Sequence, residues 1–177
     1  MPIFESILIT AVFIVGASII YSTVKVGISP MPSSRKAYQA ILALTDETGA
    51  GPIYDLGSGW GNLVVRLARK YPDRQVVGYE ISLFPWLVTK LFKWMLGLSN
   101  LTLHREDFLK ADLSNASVVI CYLFPVVMAE IKTKLIHGDN NLDFIISNNF
   151  ALPSYQASKV IRLNDFYNSP VYLYRII

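Results

Sequence analysis

The stretch Ile53-Tyr54-Asp55-Leu56-Gly57-Ser58-Gly59-Trp60-Gly61 constrains the fold more than any other part of the chain. A short apolar run passes directly into three alternating glycines, and these into the helical pattern NLVVRLARK. Without a Cβ, glycine lets the backbone turn sharply from strand to helix and come close to another group. Such a turn belongs to a βα unit, and the following segments repeat the alternation. Strands are predicted over 53–56, 75–80, 101–104, 117–124 and 142–147, with helices over 61–70, 83–98 and 126–136. The run Ser117–Phe124 (SVVICYLF) is continuously apolar, as a strand covered on both faces must be. A further helix, capped by Ser33 or Ser34 and running to about Thr48, carries Tyr38, Ile41, Leu42 and Leu44 on one face. Near the end, 158–163 and 171–176 read as strands joined by a turn with Asn164, Asp165, Asn168 and Pro170, so they should pair antiparallel. The expected fold is therefore α/β: a doubly wound, mostly parallel seven-stranded sheet with a C-terminal antiparallel hairpin.

Composition adds a second constraint. Of 177 residues, 53% are hydrophobic and only 16% charged, which excludes a disordered chain. The single cysteine, Cys121, excludes a disulfide scaffold and lies in an apolar run, where it reads as a small hydrophobe. His104 and His137 lack ligand spacing, so no metal is expected. A net charge of +3 is too small to indicate nucleic acid. Much of the apolar excess lies in Ile7–Val24, 18 residues without a charge between Glu5 and Lys25. As a helix this run would be about 27 Å long, close to the ~30 Å hydrocarbon core of a bilayer. One transmembrane helix is thus expected before the sheet, with anchor and linker over 1–28 and the catalytic-type domain over 29–177. Lys25, Arg35 and Lys36 follow the run while no Lys or Arg precedes it, which predicts a single-pass membrane protein with its domain in the cytoplasm. A signal peptide fits less well, because no positive side chain opens the chain, and a buried core helix is the third reading.

The glycine loop reads D-x-G-x-G-x-G, not the G-x-G-x-x-G of a dinucleotide pyrophosphate cradle. An acid stands before the first glycine, and Asp55 is the expected partner of a cationic amino group. Gly57, Ser58, Gly59 and Gly61 would form the loop around the ligand. Glu80 closes the next strand, placed to accept hydrogen bonds from both hydroxyls of a ribose. Asp107 and Phe108 follow the third strand, where a carboxylate can accept from an adenine amino group and a backbone N–H can donate to a ring nitrogen. Acids at three successive strand ends describe a nucleoside with an amino-acid tail, namely S-adenosyl-L-methionine. Asp107 has an alternative as a turn residue, and Trp60 could cover either the cofactor or the open end of the sheet.

From Ser29 onward the chain resembles the class I S-adenosylmethionine-dependent methyltransferases, whose sheet is Rossmann-like. More narrowly it is similar to small membrane-anchored protein-lysine methyltransferases of mitochondria and their bacterial relatives. The likeness rests on the N-terminal anchor, then on Pro30-Met31-Pro32-Ser33, Asp55 to Gly61, Gly78-Tyr79-Glu80 and Pro85-Trp86-Leu87-Val88. It continues through Asp107-Phe108, Tyr122-Leu123-Phe124-Pro125 and Phe150-Ala151-Leu152-Pro153. Members methylate lysines in an adenine nucleotide translocase and in the c-subunit of ATP synthase. The resemblance implies a membrane-protein substrate, a lipid bilayer as partner, a bacterial inner-membrane location, and Ser33 as a cofactor-side residue. The chain departs from the pattern in a two-residue longer segment between Glu80 and Pro85, and in Trp60.

Methyl transfer from a sulfonium is an in-line displacement that needs placement of the nucleophile and no covalent intermediate. A lysine acceptor, with an unperturbed pKa of about 10.4, must lose a proton, which apolar surroundings favour. The candidates for this work follow strands four and five: Tyr122, Phe124, Pro125 and Asn148, with Asn149 and Phe150 beside them. Tyr122 and Phe124 could equally be sheet core, and the asparagines turn residues. No N-P-P-Y type segment is present, which lowers a nucleic-acid acceptor further. Methylation of a lipophilic small molecule or lipid remains an alternative, as does a membrane-tethered binding module without catalysis.

Overall fold

The computed structural model describes residues 3–26, 33–136 and 141–176. The elements, in chain order, are α1 (Ile3–Val26), α2 (Arg35–Thr45), β1 (Ile53–Leu56), α3 (Asn62–Lys70) and β2 (Val76–Tyr79). They continue with α4 (Leu83–Met95), β3 (Leu101–His104), β4 (Val118–Cys121) and α5 (Pro125–Ile136). The chain closes with β5 (Phe144–Asn148), β6 (Lys159–Arg162) and β7 (Pro170–Arg175). One seven-stranded sheet results, in the order β3-β2-β1-β4-β5-β7-β6. The first five strands are parallel, while β7 runs antiparallel to both β5 and β6. The expected doubly wound sheet with its C-terminal hairpin is the fold that forms.

Alternation along the strands explains why both faces are covered. Ile53, Val76, Val118 and Ile146 point to one side, where they pack with Ile41 and Leu44 of α2 and Val64 and Leu67 of α3. Tyr54, Val77, Val119 and Ile145 point to the other, against Met128, Ile131 and Leu135 of α5 and the segment around Leu113. Cys121 is fully buried in this second layer, and burial pushes its thiol up to about 12, so it stays a neutral hydrophobe. β4 ends at Cys121, three residues before the expected Phe124. Its neighbour β1 turns away after Leu56, the register partner of Cys121, and Pro125 opens α5. Tyr122 and Phe124 therefore leave the sheet and enter the loop above it.

The register aligns the carboxyl ends of the parallel strands. Leu56, Cys121 and Ser147 are level across β1, β4 and β5, and Asn148 of β5 is paired with Val171 near the start of β7. The β6–β7 turn therefore projects past the same edge as the β1–α3 loop. In α/β sheets ligands bind at this edge, where the strand order reverses. Here the reversal falls between β1 and β4.

The expectation for the N-terminus needs correction. The apolar run does form a helix, α1, which lies against α4. Among the described residues, however, no helix is long and apolar enough to cross a membrane. A span needs roughly 20 consecutive apolar residues. The described side chains of α1 include Glu5, Ser6 and Thr10 within its first turns, with the Thr10 hydroxyl donating to the Ser6 carbonyl. The expected transmembrane anchor, and the single-pass location derived from it, are overturned. The expected Gly/Pro linker and the boundary at 28/29 lie outside the described residues.

Candidate active site

The β1–α3 loop is shaped by left-handed backbone at Gly57 (φ 82°), Gly59 (φ 54°) and Gly61 (φ 79°). Gly57 and Ser58 donate their N–H groups to the Tyr79 carbonyl at 3.0 and 2.8 Å, which fastens the loop to the end of β2. A Cβ on Gly61 would stand 2.5 Å from Thr89 Cγ2, so this glycine lets α3 and α4 approach. A Cβ on Gly57 would meet no heavy atom within 4 Å, so glycine there serves the turn itself, and the backbone stays open to a ligand.

Asp55 sits inside this frame, on β1 between Gly78 of β2 and Ile120 of β4. It is 5% exposed, and its Oδ2 has no hydrogen-bond partner among the described residues. A buried carboxylate oxygen without a donor costs free energy that a bound cation would recover. Burial, and secondarily the Glu80 carboxylate, pushes the Asp55 carboxyl up to about 7. The Ser58 hydroxyl is likewise buried without a partner among the described residues. Two unmatched polar groups beside a glycine loop fit the charged amino-acid tail of S-adenosylmethionine.

Glu80 takes a role not foreseen from its position. Its Oε2 accepts from the Gly59 N–H at 2.9 Å, and its Oε1 from the Ser82 N–H at 2.7 Å. It therefore braces the glycine loop and the start of α4 together. Each oxygen retains lone-pair capacity for a ribose hydroxyl. Asp107 accepts from the Leu109 N–H at 3.0 Å through Oδ1, the turn geometry that was its alternative reading. Phe108 is buried in the second core layer, and Trp60 is partly exposed.

Beyond the ends of β4 and β5, three aromatic rings converge. Phe150 lies 5.9 Å from Tyr122 and 5.4 Å from Phe124 between ring centroids. All three are half-buried, while Pro125 is exposed. Phe150 is set by a tight turn: Asn149 adopts φ 70°, Phe150 N–H donates to the Asn148 carbonyl, and Ser147 Oγ donates to the Phe150 carbonyl at 2.5 Å. Asn148 is 4% exposed, and its Nδ2 donates to Ser33 Oγ at 3.0 Å. Ser33 is thereby tied to the end of β5, while Ser34 caps α2 by accepting from the Ala37 N–H. The structure thus draws Ser33, Asn148, Tyr122, Phe124 and Phe150 to the strand-end edge that also carries Asp55, Gly57 to Gly61 and Glu80.

Residues missed in the sequence include Tyr38, Ser82 and Thr89. The Tyr38 hydroxyl is pushed above its usual range by burial and then by the Asp55 charge, which places it in the electrostatic surroundings of that acid. Its apolar helical spacing pointed only to core. Thr89 is 1% exposed, and its hydroxyl donates to the Pro85 carbonyl at 2.9 Å.

Comparison with known proteins identifies the family. The family model described as the ANTKMT methyltransferase domain matches residues 55–159, from Asp55 to the first residue of β6. The chain is 33% identical to the mouse adenine nucleotide translocase lysine N-methyltransferase over 114 residues, 63% of this chain and 48% of the relative. It thus spans about half the length of that relative. It is 25% identical to a protein-lysine N-methyltransferase of Saccharolobus islandicus (strain REY15A) over 150 residues, 82% of this chain and 92% of the relative. Among solved structures, an RNA methyltransferase from Salinibacter ruber in complex with S-adenosyl-L-homocysteine superposes with a TM-score of 0.71 at 27% identity. The match covers 82% of this chain and 94% of that one. The matched segment begins at the buried Asp55 and includes the glycine loop, Glu80 and the aromatic turn, and it takes in more than half of the chain: this protein belongs to the ANTKMT methyltransferase family, whose domain uses S-adenosylmethionine.

Proposed function

We propose that the chain methylates the side-chain amine of lysine in a protein. The observation that carries this reading is the acceptor end, where the Tyr122, Phe124 and Phe150 rings and the Asn148 amide stand beside the cofactor loop. The two curated relatives described above are named for lysine methylation.

When bound, S-adenosylmethionine supplies an electrophilic methyl on a sulfonium. The chain supplies placement and surroundings. Asp55 would pair with the cationic amine of the cofactor, and Ser58 would donate to its carboxylate. Glu80, already holding the loop, would accept from the ribose, and the Asp107-Phe108 segment would meet the adenine. The three rings exclude water around the incoming lysine and favour its neutral, nucleophilic form. With its Nδ2 committed to Ser33, Asn148 keeps its carbonyl oxygen as the acceptor for an amine N–H. The displaced proton can leave to solvent, because this rim is half-exposed.

We place the acceptor lysine in a membrane-associated protein, because the mouse relative is named for a translocase. The rivals are a lipid or lipophilic small molecule, and RNA, the acceptor named for the Salinibacter structure. Methyl-labelled S-adenosylmethionine supplied with a cell extract separates them once protein, lipid and RNA are fractionated. Label in protein is expected; label confined to lipid or RNA would overturn the proposal. Label in none of the three would favour a binding module without catalysis.

A further inference from the structure

Phe166 and Tyr167, at the tip of the β6–β7 hairpin, are 92% and 83% exposed. Two aromatic rings so far out in water contribute nothing to the core, yet the loop holds them in a definite arrangement. Their rings meet edge to face with centroids 5.1 Å apart. Asp165 accepts from the Ser169 N–H at 2.9 Å through Oδ1 and from the Asn168 N–H at 3.2 Å through its carbonyl. Leu163 N–H donates to the Ser169 carbonyl at 2.9 Å, and Asn168 adopts the left-handed conformation at φ 49°. Hydrogen bonds from the Ser169 and Tyr167 N–H groups hold the Asp165 carboxyl below its usual range. The tip is built as an ordered structure.

Its place in the fold gives it a direction. β7 starts beside the end of β5, with Val171 paired to Asn148 and the Asn149 N–H donating to the Pro170 carbonyl at 2.8 Å. Lys36 Nζ, just past Ser33, donates to the Asn164 carbonyl. The tip is therefore tied on both sides to the segments that carry Asn148 and Ser33. Tyr167 is four residues from Val171, so it lies within about 14 Å of that paired position along the chain. The rings therefore stand within reach of a protein whose amine is held at Asn148.

We infer that Phe166 and Tyr167 dock the methyl-accepting protein, inserting into a shallow apolar pocket that lies within about five residues' reach of its target lysine. This inference rests on the lysine-methylation reading above. Exposed aromatic side chains on a hydrogen-bonded turn are well suited to carry interface energy, because the backbone beneath them needs little further ordering on contact. The neighbouring Lys36 and Arg162 leave the tip without excess negative charge, so binding depends on ring burial in preference to capture of the lysine charge.

The test compares the wild-type chain with Phe166→Ala/Tyr167→Ala and with Phe166→Tyr/Tyr167→Phe. Each is supplied with labelled S-adenosylmethionine and a dilution series of total cell-extract protein. The double alanine chain is expected to show an apparent KM for protein raised about tenfold, with kcat within about twofold. Its affinity for S-adenosylmethionine and its thermal midpoint should stay at wild-type values, and the aromatic exchange should keep the wild-type KM. Equal protein labelling by wild type and the double alanine chain at every dilution would overturn the docking role and leave lysine methylation standing. A fall in kcat or in cofactor affinity would also overturn it. If the wild type places no label on protein lysine, the functional reading itself fails, and docking fails with it.

Discussion

A carboxyl group buried as deeply as Asp55 makes pH a reporter of the site. Its folded pKa, about 7, lies above the ordinary carboxylate value of 3.8, because burial and the Glu80 charge disfavour the ionised form. In the cofactor-free protein the folded state therefore binds more protons than the unfolded state between these two values. Stability from this group is full below the lower value and falls as pH rises toward about 7. A cationic ligand requires the ionised form, so cofactor affinity should move the opposite way. Calorimetry is expected to show S-adenosylmethionine binding strengthened up to about tenfold from about pH 6 to about pH 8. Asp55→Asn should flatten this dependence and weaken binding at the higher pH. Gly61 offers a purely steric test at the same scale. Gly61→Ala combines left-handed backbone with a 2.5 Å approach to Thr89 Cγ2. It should cost about 2 kcal/mol or more in urea unfolding. Thr89→Ala in the same chain should recover only part of that loss, since the backbone strain stays.

At the scale of elements, Glu80 links two loops that the sequence shows as separate. Its oxygens hold Gly59 and Ser82, so Glu80→Ala should weaken cofactor binding by more than tenfold and also lower the thermal midpoint. Glu80→Gln keeps one acceptor oxygen and should retain more stability than the alanine chain while still losing affinity. A differential scan with and without cofactor reads both effects. The sequence made the elements legible wherever one physical cause dominated. A continuous apolar run marks β4, because a strand covered on both faces admits little else, and shorter apolar-rich runs mark β1, β2 and β5. The alternating glycines marked the β1–α3 turn, because only they accept that backbone. Ends are less legible: β4 stops at Cys121 because its partner β1 ends at Leu56, a cause that lies in another strand. The Asn148–Ser33 bond joins residues 115 apart and leaves no local trace. In the sequence the hairpin tip reads only as a turn, since nothing local says that Phe166 and Tyr167 stand free of the core.

For the whole molecule, the apolar excess that pointed to a membrane span has a different distribution. Part of it fills the two layers that sandwich the sheet. Part is in α1, which lies against α4 and whose described residues Ile3, Phe4 and Phe13 are 80%, 75% and 73% exposed. Periodicity and charge spacing cannot distinguish a helix that crosses a bilayer from one that rests on its own domain. α1 adds no residue to the cofactor loop, so removing residues 1–28 should leave S-adenosylmethionine affinity within about twofold and far-UV dichroism in proportion to the helix lost. The reaction proposed above carries a methyl group from a cofactor held at the buried Asp55 to a lysine amine beside Asn148 and the aromatic trio. Its most direct measurement is amino-acid analysis of protein labelled from methyl-labelled S-adenosylmethionine by the wild-type and Asp55→Ala chains. Labelled N-methyl-lysine is expected from the wild type and should be lost with Asp55→Ala; labelled lysine persisting in that variant, or label on another residue, would contradict the proposed reaction.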